Sequence, residues 1–553
     1  MKIYEAVADA LAAERVDPIF GLMGDGNMSL WSTVAARRQA EILSARNEAG
    51  AIAMADGYFR ATGRLGVATV TCGPGLTQIG TSLMAAARNR SAILVLTGEI
   101  PPHAVNRLQS MDQRRFVEAC SARYLSITGT ASLAREIVEA FRLARLESCP
   151  VVLNMPNDIQ EWDFAHPWRY IASDDLLPPA DPAPNEEDVE RLVEAVMASQ
   201  RPILIAGRGA KLSGAVPGIR ALAERIGALL STSLQMKGTF SQDEWSVGIV
   251  GGYSSAVTEG LCRQADLVIG VGAEIGHYTS WGGTLFPQAR LIRIDTAASL
   301  GDVAAAPGLH IRADAAKTVS RLTAALEERQ VRREGFRTPA TAETLAQRPE
   351  PFPPATDGLD PRRLARALGA ALPDDAMITC GVGHFQGFVA MYLPVRPGNE
   401  VEFSSQFGAV GQTLPVAIGI GAARPGRPHL VIEGDGSLMM NMQELETAAR
   451  HKVSMVLVVW NDSGYGAEFH RLPLKGFTGD TAKWSSPDFV ALAKAFGGDG
   501  VTLTDLDALP EAVARGMGFE GLFVIDARVS QSETSDSYRK LYKGEPNRAP
   551  LLA

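Results

Sequence analysis

Two acidic residues stand at the ends of apolar runs in the last third of the chain. One lies in Val431-Ile432-Glu433-Gly434-Asp435-Gly436-Ser437, between a strand-like run at 429–432 and a helical pattern over 442–450. The other lies in Trp460-Asn461-Asp462-Ser463-Gly464-Tyr465-Gly466, where a second apolar run at 455–460 ends. Ligands of a parallel sheet gather beyond the carboxyl ends of its strands, so two adjacent strands would set Asp435 and Asp462 side by side. Hard oxygen ligands with open positions suit Mg²⁺, which keeps phosphate oxygens as further partners, and the glycines let backbone approach a ligand closely. Each dipeptide alone also reads as a tight turn. Their paired placement at two strand ends is what argues for a metal and phosphate loop.

A third acidic residue sits near the N-terminus, in Ala45-Arg46-Asn47-Glu48-Ala49-Gly50-Ala51, at the start of a helical pattern that ends near Gly63. A glutamate on an apolar, Ala/Gly-rich helix start is costly without a partner or a task. The structural alternative is a carboxylate stabilised by the helix dipole. Three other loops follow or precede apolar runs: Cys72-Gly73-Pro74-Gly75, Gly381-Val382-Gly383-His384, and Gln406-Phe407-Gly408-Ala409-Val410-Gly411.

These residues need a scaffold of buried strands. Apolar runs at 67–71, 93–97 and 151–154, at 203–206, 267–271 and 291–294, and at 429–432, 455–460 and 522–525 alternate with longer helical patterns. That alternation predicts parallel sheets covered on both faces. A chain of 553 residues is too long for one core. The expected architecture is α/β, three consecutive doubly wound parallel-sheet domains over 1–172, 188–332 and 357–530. Proline-dense stretches near 172–188 and 332–357 read as extended linkers. A polar tail, 531–553, with Tyr538 and Tyr542, reads either as a lid or as a surface extension.

Composition excludes other classes. The net charge is −9 with no long run of one sign, which is not a nucleic-acid footprint. A small anionic substrate would be weakly repelled by this field and would need local positive groups or a metal. The five cysteines are scattered without a CxxC pair, as expected of reduced buried thiols. No signal-peptide pattern follows Met1, and no apolar run reaches a membrane span, so a cytoplasmic protein with no membrane partner is expected.

Taken together, the GDGS loop, the Asn-Asp strand end, Glu48 and the Gly-Pro-Gly turn resemble the thiamine diphosphate (ThDP) enzyme family, along essentially the whole chain and in its domain order: pyrimidine-binding, central, diphosphate-binding. The resemblance implies ThDP and Mg²⁺ as cofactors. It makes Asp435, Asp462 and the carbonyl of Gly464 the metal ligands; the family usually has Asn where this chain has Asp462. It places Gly383, His384, Gly434, Gly436, Ser437 and Tyr465 against the diphosphate side. Gly73, Pro74 and Gly75 fall on the pyrimidine side, with the Gly408 carbonyl on the 4′-amino group and Val410 as the wedge that bends the cofactor. A core valine is the plain alternative for Val410. Glu48 would hydrogen-bond the aminopyrimidine and promote loss of the thiazolium proton. In this family the cofactor lies between subunits, so a homodimer is the minimum and a homotetramer is common. Some relatives hold FAD in the central domain. Here Ala206-Gly207-Arg208-Gly209 and Asp295 fall short of a full fingerprint, and FAD is not predicted.

The resemblance leaves the reaction open. Phe20-Gly21-Leu22-Met23-Gly24-Asp25 and Gly464-Tyr465-Gly466-Ala467-Glu468 resemble 2-oxo acid decarboxylases, with Asp25 and Glu468 as catalytic carboxyls and His470 as an assistant. Leu108-Gln109-Ser110-Met111-Asp112-Gln113 resembles benzaldehyde lyase and the acetolactate synthases, with Gln113 assigned to the thiazolium. The departures are equally specific. The paired histidines of pyruvate decarboxylases reduce to His103, Arg471 falls where acetolactate synthases keep a Trp, and Glu274 falls near their substrate Arg. Three readings follow. The first is a lyase and carboligase on a 2-oxo acid that releases an aldehyde or forms an acyloin. The second is an acetolactate synthase-like transferase joining two 2-oxo acids. The third is a silent regulatory homologue, against which Glu48, Asp435 and Gly408 argue.

Overall fold

The computed structural model describes residues 1–164, 168–177, 182–297, 308–347 and 353–544. Three six-stranded sheets follow one another along the chain, every named pairing parallel. The first holds β1 (Ile19–Gly21), β2 (Ile42–Ser44), β3 (Gly66–Val70), β4 (Ile93–Glu99), β5 (Arg123–Ser126) and β6 (Pro150–Pro156), ordered β2-β1-β3-β4-β6-β5. The second holds β7 (Pro202–Ala206), β8 (Leu229–Thr232), β9 (Ser246–Ile249), β10 (Leu267–Val271), β11 (Arg290–Ile294) and β12 (Leu309–Ile311), ordered β12-β11-β10-β7-β8-β9. The third holds β13 (Met377–Gly381), β14 (Glu400–Ser404), β15 (His429–Gly434), β16 (Met455–Asn461), β17 (Asp499–Leu503) and β18 (Leu522–Arg528), ordered β14-β13-β15-β16-β18-β17. The continuous apolar runs are central strands, buried along their length because helices cover both faces. Among the described residues no helix is long and apolar enough to cross a membrane.

Both proline-dense stretches depart from simple extended linkers. The first contains a short 3₁₀ turn, Ser173–Leu176, pinned where Glu14 accepts the Ser173 N–H at 2.7 Å. The second carries a helix, Pro339–Leu345, whose proline occupies the first turn, where a missing N–H is harmless. Residues 178–181, 348–352 and 545–553 lie outside the described ones.

Five helices matter for the site: α1 (Glu48–Thr62), α2 (His384–Tyr392), α3 (Thr413–Ala423), α4 (Gly466–Arg471) and α5 (Asp536–Lys543). Helices α1 and α3 pack directly and merge the first and third sheets into one core with Ile52, Met54, Leu414 and Ile418. They touch backbone to backbone. A Cβ on Gly57 would fall 2.0 Å from the Val416 carbonyl oxygen, and one on Gly419 would fall 1.9 Å from that of Met54. The contacts Gly57–Val416 and Met54–Gly419 run in opposite directions along the two helices, so the pair is antiparallel. Beside it, buried Arg60 pairs with Asp56 at 2.7 Å and Glu402 at 2.8 Å.

The close approach yields a prediction. Gly57→Ala places a methyl against a carbonyl that no rotamer change can move. Overpacking of this kind should destabilise the protein by about 1–3 kcal/mol. A lowered midpoint in thermal or urea unfolding is expected; an unchanged midpoint would mean that the helices separate without penalty.

Candidate active site

The candidate residues gather in two half-sites, each beyond the carboxyl ends of a sheet. The first belongs to β1, β3 and β4. Asn47 caps α1, its side chain accepting the Ala49 N–H at 2.9 Å, so Glu48 is the first residue of the helix and is half-buried. The carboxylate lies against the turn after β3: a Cβ on Gly75 would meet Glu48 Oε1 at 3.2 Å and Thr71 Cγ2 at 2.7 Å. Gly73 adopts φ +60°, a region glycine enters without penalty, and Pro74 opens the next helical turn. Asp25 is exposed in the loop that covers this turn, held there by Gly26 N–H donating to Thr71 Oγ1 at 3.0 Å.

The N-terminus of α1 is also anchored from the third sheet's side. Buried Glu444 accepts the backbone N–H groups of Arg46 at 3.1 Å and Asn47 at 3.0 Å, and the Thr447 hydroxyl at 2.6 Å. Burial pushes its carboxyl up to about 6, and the hydrogen bonds oppose that rise.

The second half-site lies at the ends of β15 and β16, which are neighbours as expected. Burial pushes the Asp435 carboxyl up to about 6. Asp462 rises well above the usual carboxylate range, through burial first and then through Asp435 beside it. Ser486 Oγ lies 2.9 Å from Asp435 Oδ2 and 2.8 Å from Asn461 Oδ1. Gly434 and Gly436 are walled by rings: a Cβ on Gly434 would meet Phe385 at 2.9 Å, and one on Gly436 would meet Tyr465 at 2.8 Å and Trp484 at 2.9 Å. Tyr465 stays partly exposed, its ring edge-on to Trp484 at 4.6 Å.

The loop that carries Gly408 and Val410 is tied to this half-site. Ser437 Oγ accepts the Gly411 N–H at 2.9 Å and donates to Glu433 Oε1 at 2.5 Å, while Asn441 Nδ2 donates to the Gly411 carbonyl at 2.6 Å. Glu433 is fully buried, and burial pushes it up to about 7. Gly408 sits at φ +64° with open space around it, and Val410 is 37% exposed, which sets aside the core-valine alternative.

Three assignments change. Gln113 does not face an open site: it is buried, accepting the Gly73 N–H at 3.1 Å and donating to the Gly98 carbonyl at 2.9 Å. Gln109, half-buried beside Cys72 with Sγ to Oε1 at 3.4 Å, is the glutamine at the edge of the turn. The His384 ring is spent on the tail, its Nε2 accepting the Ser535 N–H at 3.0 Å, so only the backbone at the start of α2 is left for a ligand. Asp25 and Glu468 are both exposed and stand at different sheets, and within one chain they do not converge. The His470 ring lies tilted against His384 at 4.6 Å and bonds the Thr534 hydroxyl at 3.0 Å. Burial, then Lys483, Arg539 and Lys543, holds its pKa down at about 4.

The tail helix α5 spans both neighbours. Tyr392 donates to Asp536, Tyr538 packs edge-on to His384 at 5.1 Å, and Lys540 pairs with Glu259 of the central domain. In that central domain the loop after β7 and the end of β11 are bonded within the domain. Gly209 N–H donates to the Gly272 carbonyl at 3.0 Å, and Asp295 pairs with Arg293 at 3.1 Å.

The donor set fits a divalent cation with a diphosphate. Two buried carboxylates crowd each other unless a proton or a cation lies between them, and glycines leave the adjoining backbone bare. Sequence similarity agrees. Residues 1–118, 189–322 and 381–527 match, in turn, the N-terminal TPP binding domain, the central domain and the C-terminal TPP binding domain of thiamine pyrophosphate enzymes. The chain is 30% identical to the acetolactate synthase large subunit of Parasynechococcus marenigrum (strain WH8102), over 96% of this chain and 87% of that protein. It is 27% identical to the acetolactate synthase isozyme 2 large subunit of Escherichia coli (strain K12), over 95% of each, and 25% identical to the acetolactate synthase of Bacillus subtilis (strain 168), over 96% of this chain and 93% of that one. Fold, half-sites and similarity lead to one conclusion: the chain belongs to the thiamine pyrophosphate enzyme family.

Proposed function

We propose that this protein is a ThDP- and Mg²⁺-dependent enzyme that decarboxylates a 2-oxo acid and transfers the remaining acyl unit to a proton or to a second carbonyl. Bound ThDP would supply the electron sink that loss of CO₂ from a 2-oxo acid needs. Asp435, Asp462 and the Gly464 carbonyl would hold Mg²⁺, and the loop at Gly408–Gly411 would hold the pyrimidine. Glu48 would accept and return the proton that the cofactor must give up. The observation that carries this reading is the carboxylate of Glu48, at the start of α1, lying against Gly75 beside Thr71 in the turn after β3.

The working unit is at least a homodimer, with a homotetramer consistent with it. In the antiparallel pair, Glu48 and Thr413 lie nine residues before Gly57 and three before Val416, at opposite ends. At 1.5 Å per residue that separates them by roughly 18 Å. A single chain therefore keeps its Glu48 away from its own Gly408 loop, and a second copy completes each site.

A second reading, an acetolactate synthase-like transferase joining two 2-oxo acids, is favoured by the names of the relatives. A panel of 2-oxo acids with CO₂, aldehyde and ligated products all quantified decides. CO₂ with aldehyde or acyloin supports the lyase; CO₂ with a 2-hydroxy-2-acyl acid supports the transferase; no CO₂ with any member refutes both.

Two variants test the parts. Glu48→Gln should retain ThDP but exchange the cofactor's thiazolium proton with D₂O roughly 100- to 10,000-fold more slowly; exchange at the wild-type rate would remove Glu48 from this role. Asp462→Asn tests the metal pair. An acid whose pKa is raised by folding destabilises the fold once ionised, with no penalty below its unfolded pKa and the full penalty above its folded one. Metal-free Asp462→Asn should therefore melt higher than metal-free wild type at pH 8, where both carboxylates would be charged. That gain should shrink at pH 5, where Asp435 and Asp462 retain protons, and Mg²⁺ with ThDP should abolish it. A gain equal at both pH values would mean that the two carboxylates do not interact.

A further inference from the structure

Resting on the cofactor reading above, we propose that the central domain sets the diphosphate end of the site through Lys237 and Tyr253, positioning residues that hold helix α2 in place.

Helix α2 runs from the metal half-site to the central domain. Its first residues wall that half-site. A Cβ on Gly466 would meet Asp462 Oδ2 at 2.6 Å and His384 Cβ at 3.0 Å, and the Phe385 ring closes on Gly434. The His384 side chain is taken by Ser535, so the N–H groups of this first turn are what α2 offers to an anion. Where they stand depends on where the helix is held. α2 has nine residues, a rod of about 13 Å, so a shift at one end reaches the other.

The sequence leaves the far end of α2 unfinished. Pro394 favours extended backbone at Leu393 and has no N–H to give, so the Ala390 carbonyl lacks the donor that a continuing helix would supply. Lys237 fills that place from the central domain, its Nζ donating to the Ala390 carbonyl at 2.9 Å. An ammonium there also faces the negative end of the helix dipole. The same turn grips the third domain on either side of Lys237. Gln235 exchanges two hydrogen bonds with Phe403 of β14, at 2.9 and 3.3 Å, and Gly238, at φ +86°, leaves no room for a Cβ beside Val395. Nearer the start of α2, the Tyr253 hydroxyl donates to Gln386 Oε1 at 2.7 Å.

Lys237 is a costly residue where it stands. It is 7% exposed, no charged group offsets its burial, and burial pushes its amine down to about 7. A buried amine without a counter-ion weakens a fold, and a methionine of similar length would fill the space at less cost. Stability therefore does not explain a lysine at this position, whereas its hold on the Ala390 carbonyl does.

The test uses the full-length protein, stripped of cofactor and reloaded with ThDP and Mg²⁺. By titration calorimetry at saturating Mg²⁺, Lys237→Met should raise the Kd of ThDP roughly 10-fold or more, while CO₂ release at saturating ThDP stays within about twofold of wild type. The cofactor-free variant should melt no lower than cofactor-free wild type. Tyr253→Phe should raise the Kd as well, and it decides alone if Lys237→Met does not fold. Lys211→Met is the control: it cuts another link between the central and third domains, the 2.8 Å pair with Glu400 of β14, and should leave the Kd unmoved. An unchanged Kd in Lys237→Met, or in Tyr253→Phe where that variant stands alone, overturns the proposal. A raised Kd with a lowered melting point of the cofactor-free variant also overturns it, because Lys237 would then be a strut of the fold. An equal loss in Lys211→Met does the same, because any domain contact would then serve. Wild type that binds no ThDP refutes the cofactor reading itself. Wild type that binds ThDP but releases no CO₂ from any 2-oxo acid refutes only the proposed reaction, and the Kd values still decide on Lys237.

Discussion

The backbone contact between α1 and α3 is the constraint on which the rest of the molecule depends. Two carbonyl oxygens occupy the space where Gly57 and Gly419 would otherwise carry side chains. Without those glycines the helices would stand apart by about the width of a methyl group, and the core that joins the first and third sheets would open. The same contact decides where chemistry is available. It is antiparallel, so the helix start that carries Glu48 points away from the helix start that follows the Gly408 loop. One feature of packing thus holds the two groups of candidate residues apart within a chain.

Buried acids are the second theme, and each is satisfied in a different currency. Glu444 accepts the amides ahead of Glu48, fixing the start of α1 from another domain. Glu433 receives the Ser437 hydroxyl and through it steadies Gly411. Asp435 and Asp462 lie beside each other, with Ser486 on Asp435 and backbone amides as further partners, which is an arrangement a cation would relieve. Two of these acids position backbone segments, and two are set against each other. Their identical residue type conceals that division until the partners are known.

Much of this was legible in the sequence because it is local. The central strands β3, β4, β6, β7, β10, β11, β15, β16 and β18 announce themselves as apolar runs. Edge strands such as β5, β9, β12 and β17 do not: they have three to five residues, with exposed or half-exposed positions in β5, β12 and β17. Glu48, Asp435 and Asp462 sit in motifs whose glycines mark close approach. Ser486 and Glu444 could not be read, because what makes them important is contact across the fold rather than spacing along it. Gln113 and Gln109 show the limit most sharply. They lie four residues apart in one segment, and only the hydrogen bonds to Gly73 and Gly98 distinguish the one that braces the turn from the one at its edge.

The same distinction explains why cofactor and reaction are legible to different degrees. The candidate cradle is made largely of backbone and glycine, and glycine-rich loops and paired carboxylates are local features that a sequence displays. The excursion between Gly464 and Ser486 and the tail helix that packs on it are held differently, by side chains, where Arg471 meets Tyr542 and His470 meets His384 and Thr534. Contacts of that kind join residues distant in the sequence, so spacing along the chain does not announce them.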